Sequence, residues 1–170
     1  KVSTQKIVTL FIFVILIGSM WGTYSISAKT TPYEHMKDYL TQEAELNEEE
    51  EETLRLINKY RKENGLSELK TFAKLQEVAK LKAKDLVENE YFSHTSETLG
   101  TPFKMLQVNE IDYKIAGENL AGNTTPERAV ESWKNSPSHN KNILDKKYDY
   151  TGICVIESPM YGKVFVELFI

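Results

Sequence analysis

Thr151-Gly-Ile-Cys-Val-Ile-Glu157 and Lys163-Val-Phe-Val-Glu-Leu-Phe-Ile170 close the chain, separated by Ser158-Pro-Met-Tyr-Gly162. Both runs are rich in β-branched and aromatic residues, and the segment between them holds the Pro and Gly of a long turn. They predict an antiparallel hairpin. Upstream the period is different. Leu75, Val78, Ala79, Ala83 and Leu86 fall at i, i+3, i+4, i+8 and i+11, which predicts a core-facing helix from about Phe72 to Asn89. Helices first and strands later predict an α+β fold with helices packed on a small antiparallel sheet, Tyr113 to Ile115 serving as a third strand.

Helix signals punctuate the rest. Asn47 followed by Glu50 forms a capping box, and the acids Glu48 to Glu52 suit the positive end of a helix dipole. That acidic run reads as a solvated face. Leu54, Ile57 and Tyr60 or Arg61 share the opposite face, and Asn64-Gly65 supplies the stop. Thr101-Pro102 opens a short helix through Gln107. Thr125-Pro126 opens another through Asn135, with Ala129, Val130 and Trp133 inward and Ser136-Pro137 as its end.

Behind Lys6 the run Ile7 to Ile17 is almost wholly apolar, and no charge appears until Lys29. This is an N-terminal apolar export or anchor segment over residues 1–28. A small-residue exit near Ser25 to Ala28 suits a cleaved signal peptide, while an uncharged length near the roughly 20 residues of a membrane span suits a transmembrane anchor. In either case Lys1 and Lys6 stay inside, and the remainder lies extracellular or on the cell surface. Residues 29–46, with Thr30-Thr31-Pro32, read as a linker that includes His35. The domain itself runs over 47–170.

Lys and Arg number 21 against 25 Asp and Glu, a formal net charge of −4. Nucleic-acid affinity comes largely from Lys and Arg neutralising phosphates, so nucleic acid is set aside as a partner. Cys154 is the only cysteine and forms no intrachain disulfide. The domain therefore rests on its hydrophobic core, which suits bacterial export.

The chemistry centres on Ile115-Ala-Gly-Glu-Asn-Leu-Ala121. Glu118 follows a short apolar stretch and a glycine, which places its carboxylate at a sharp backbone turn. His94, in Phe92-Ser-His-Thr, and His139, in Ser136-Pro-Ser-His-Asn140, flank it. The expectation is that His94, Glu118 and His139 meet in one polar cleft.

Phe92-Ser-His94, Gly117-Glu-Asn-Leu-Ala121, Trp133 with Ser136-Pro-Ser-His139, Asn142-Ile-Leu144 and the closing Val164 to Phe169 resemble, in order and spacing, the CAP superfamily of SCP/PR-1-like domains in its bacterial form. The resemblance covers about residues 50–170. It implies a three-layer α-β-α sandwich, secretion, and a central His and Glu cleft that binds divalent metal in some members. Of the two His and two Glu of the eukaryotic pattern, His94, Glu118 and His139 match three. Ser136 stands at the position of the second Glu.

Two imidazoles and a carboxylate suit a divalent cation, zinc foremost, with a position left for water. The chain has no His-Glu-x-x-His, which disfavours a zincin protease. A serine hydrolase built on Ser96 or Ser136 lacks a Gly-x-Ser-x-Gly elbow. Cys154 alternates with Ile153 and Val155 and reads as a packed thiol. The favoured function is a binding module at the cell envelope with an unidentified protein, lipid or envelope ligand. A metal-dependent hydrolase with Glu118 as the activating group is the alternative. Lipid or sterol carriage, implied only by the resemblance, is the third.

Overall fold

Asn47 sets the first helix, α1 (Glu48–Glu63), in the computed structural model, which describes residues 43–170. Its side-chain oxygen accepts from the backbone N–H groups of Glu49 and Glu50, each at 3.0 Å, and Glu50 Oε2 accepts from Asn47 N–H at 3.0 Å. The capping box thus forms as read. Gly65, at φ +73°, lets the chain turn away after Asn64. There follow β1 (Lys70–Thr71), α2 (Ala73–Glu88), α3 (Pro102–Val108), β2 (Gly117–Asn123), α4 (Pro126–Asn135), α5 (Pro137–Ile143), β3 (Tyr150–Ser158) and β4 (Gly162–Phe169). The expected export or anchor segment and most of the linker lie outside the described residues. Among the described residues no helix is long and apolar enough to cross a membrane.

Four strands among the described residues form one sheet in the order β1-β3-β4-β2. The hairpin β3–β4 and the pair β2–β4 are antiparallel. The sheet is covered on both faces, which makes the α-β-α sandwich. Cys154, Val164, Val166 and Leu168 pack with Leu75, Val78 and Leu86 of α2 on one side. Ile153, Val155, Phe165 and Phe169 pack with Ile57 of α1 and Trp133 of α4 on the other. Burial on both faces explains why the closing strands read as nearly continuous apolar runs rather than alternating ones. Gly152 lets α2 approach β3 this closely, since a Cβ there would lie 2.5 Å from the Leu75 carbonyl oxygen.

Five expectations are corrected. The sheet is mixed, because two-residue β1 runs parallel to the start of β3; a strand that short has no period to read. Tyr113 to Ile115 is not a strand, and the strand is instead Gly117–Asn123. Its Gly and Asn content argues for a loop, but seven positions of pairing with β4 override that preference. Glu118 accordingly sits inside a strand rather than at a sharp turn. Ser136-Pro137 ends α4 but also starts α5, with Pro at the permitted first position.

The fifth correction concerns Glu50, which is buried rather than solvated. Its Oε1 accepts from Val155 N–H at 3.2 Å. Gln76 accepts from Ile153 N–H at 2.8 Å and donates its amide to Ile153 O. These side chains occupy the outer edge of β3, where β1 is too short to reach, and satisfy backbone groups that an open edge would leave unpaired.

Candidate functional site

β2 is the opposite edge strand, and the three predicted residues gather at its beginning. Glu118 belongs to β2, His94 to the loop leaving α2, and His139 to α5. Each comes from a different layer. Gly117 permits the tight approach on the α5 side, since a Cβ there would lie 2.7 Å from Tyr148 Oη and 3.2 Å from Asn142 Oδ1. Asn142 Nδ2 donates to Glu118 O at 3.2 Å and to Asn119 Oδ1 at 2.9 Å. Asn119 Nδ2 in turn donates to His139 O at 3.2 Å. This amide chain fixes α5 against the strand.

His94 Nδ1 lies 2.7 Å from Glu118 Oε1. With Glu118 ionised, the ring N–H donates. The His94 side chain is 56% exposed while that of Glu118 is 2% exposed, so a solvent-facing imidazole stands on a sealed carboxylate. The His94 and His139 ring centroids are 6.5 Å apart. Glu118 Oε2 is buried without a hydrogen-bond partner.

The hydrogen bond to Glu118 raises the His94 pKa above its ordinary value against the opposing effect of burial. Burial pushes the Glu118 carboxyl up, opposed by the His94 bond and by the charges of Lys82 and His94. His139 is pushed down by burial and then by the neighbouring His94. The two shifts run in opposite directions, so His94 holds a proton more readily than His139 does.

The geometry pairs two of the three candidates directly and leaves the third as a facing ring. Among the described residues no three His, Cys, Asp or Glu side chains are grouped to hold a metal ion. His94 spends Nδ1 on Glu118 and keeps Nε2 free, the form in which a carboxylate orients an imidazole rather than sharing a ligand with it. Ser136, at the position of the family's second Glu, lies 3.3 Å from Ser138 through their hydroxyls. Ser96 Oγ accepts from the backbone N–H groups of Thr98 and Leu99, which is turn chemistry. Cys154 is buried and its thiol is pushed up to about 12 by burial and then by Glu50, so it is a core residue.

Sequence reading missed the supports. Lys82 and Asp85 of α2, with Tyr91, Asn119 and Asn142, make the polar frame behind the pair. One signal was present: the apolar series from Leu75 skips i+7, and that position is Lys82.

The family described as "CAP: Cysteine-rich secretory protein family" matches residues 54–169. The uncharacterized protein YkwD of Bacillus subtilis (strain 168) is 38% identical over 122 residues, 71% of this chain and 46% of that protein. An extracellular protein containing a SCP domain from Bacillus anthracis str. Ames superposes with a TM-score of 0.68 at 30% identity, covering 85% of this chain and 45% of that one. An outer surface protein from Borrelia burgdorferi superposes with a TM-score of 0.67 at 27% identity, covering 75% of this chain and 96% of that one. The chain spans less than half the length of the two Bacillus proteins.

Proposed function

The chain belongs to the CAP family, and from that premise we propose that it is a binding module of the bacterial cell envelope, exported or membrane-anchored, with the His94, Glu118 and His139 cleft as its ligand site. The observation that carries this reading is the half-open His94 ring held 2.7 Å from a sealed carboxylate that still has an unpartnered oxygen. Such a pair offers a fixed imidazole nitrogen to a ligand and a hidden charge to steady it. The extracellular and outer-surface descriptions of the superposing proteins and the apolar segment at residues 1–28 support an envelope location.

A divalent cation, zinc foremost, is the ligand that suits two imidazoles. The two imidazoles would supply two nitrogens to it, so the cation is proposed as cargo of the cleft and no reaction step is assigned to it. Titration calorimetry with zinc at neutral pH tests the site. His94→Ala and His139→Ala should each abolish the heat of binding. Unchanged binding by the double variant would remove zinc from these residues.

A further inference from the structure

We propose that Lys82 positions His94: its buried ammonium clamps the Ser93-His94 turn so that the imidazole rests on Glu118. Lys82 is 0% exposed and occupies the apolar face of α2. Its Nζ donates to Ser93 O at 2.8 Å, to Tyr91 Oη at 2.8 Å and, more loosely, to His94 O at 3.4 Å. An ammonium has three N–H groups, and three acceptors from one loop surround it.

The second anchor lies one turn along the helix. Tyr91 Oη donates to Asp85 Oδ2, while Asp85 Oδ1 accepts from Thr98 Oγ1 at 2.7 Å and from Asn89 Nδ2 at 2.8 Å. Lys82 and Asp85 therefore grip the α2–α3 loop from Asn89 to Thr98 at both ends, with His94 between them. Burial disfavours the charge on Lys82, and Glu118 and Asp85 oppose that effect. Burial works likewise against Asp85, yet hydrogen bonds from Tyr91, Thr98, Ser96 and Asn89 hold its carboxyl below the usual range. A packed Met or Leu would fill this part of the core without burying a charge, so the ammonium is explained by what it holds.

This inference rests on the cleft being the functional site, but its test needs no ligand. The readouts are the downfield ring N–H resonance of His94, produced by the bond to Glu118, and exchange of the Thr95 amide, which donates to Ser93 Oγ at 3.2 Å. Lys82→Met should abolish the ring resonance and speed Thr95 exchange about tenfold or more, a loss of at least about 1.4 kcal/mol from the free energy of local opening. Lys82→Arg, which restores donors to the same carbonyls, should recover both. A folded Lys82→Met protein with the ring signal at its parental position overturns the proposal.

If Lys82→Met does not fold, Tyr91→Phe decides. Breaking the link between Lys82 and Asp85 should broaden the ring signal, and an unchanged signal with unchanged Thr95 exchange overturns the inference. Failure of zinc to bind leaves these signals untouched, so loss of the ligand reading and loss of the positioning role are separable.

Discussion

Glu118 and Glu167 lie on adjacent strands, one step apart in register, and point to opposite faces of the sheet. Both are buried, both have an oxygen without a partner, and burial pushes both carboxyls up. Each also has a buried cation nearby. Arg61, 1% exposed, serves Glu167, and Lys82 serves Glu118. The difference is access. Glu167 is 0% exposed and meets Thr151 Oγ1 at 3.3 Å, wholly inside the core. Glu118 ends at His94, whose ring opens to solvent. A buried acid is therefore not a site in itself; a solvent-facing group must carry its influence outward.

The two cations share a task, which gives the largest expected effect. Arg61 donates to Ser67 O at 2.9 Å, Ile143 O at 2.7 Å, Asp145 O at 3.1 Å and Tyr148 O at 3.3 Å, gathering two loops on the closed side. Arg61→Met strands these carbonyls and should cost about 3 kcal/mol or more in urea unfolding. Lys82→Met should cost less in stability and more in the order of the cleft. Equal losses in both measures would erase the contrast between a structural and a positioning cation.

Glu167→Gln comes next. The folded carboxyl binds its proton more tightly than the unfolded one, so its contribution is fully present below the ordinary value near 4.5 and is lost as pH rises through the raised folded value. Gln does not titrate. Relative to the parent, the variant should gain stability with rising pH by up to about 1.4 kcal/mol per pH unit while Glu167 stays protonated in the fold. Parallel unfolding curves from pH 4 to pH 8 would mean that the acid is not the sealed group its burial implies.

Glu118→Gln should act most weakly on stability and most clearly on His94. The His94 bond contributes below the ordinary imidazole value of 6.5 and loses its contribution as pH rises through the raised folded value. With the ring more than half exposed, solvent screening limits this to under about 1 kcal/mol. The His94 pKa, followed by its ring proton shifts, should fall in the variant. A His94 titration unmoved by the substitution would break the pairing on which the cleft rests.

The capping box at Asn47, the apolar stripe of α2, the two Thr-Pro helix starts and the closing hairpin could all be read along the chain. Each is a local pattern whose cause lies within a few residues. β2 was not legible, because Gly117-Glu-Asn-Leu-Ala-Gly-Asn123 has poor strand propensity and becomes a strand only through β4. Glu50 was misread for the same reason: one acid in a run of five is drawn inward by the bare edge of β3, which is 105 residues away in the chain.

The amino-acid sequence by itself determined four of the five described helices, the hairpin and, through its motif blocks, the family, and it named His94, Glu118 and His139 as the side chains to follow. Tertiary structure decided which of those side chains touch, which face of each is wet, and which buried cation stands behind each acid. The reason is physical. Periodicity and caps are short-range properties of one segment, whereas the protonation and reach of a side chain depend on solvent exclusion and on charges brought near it by distant parts of the chain.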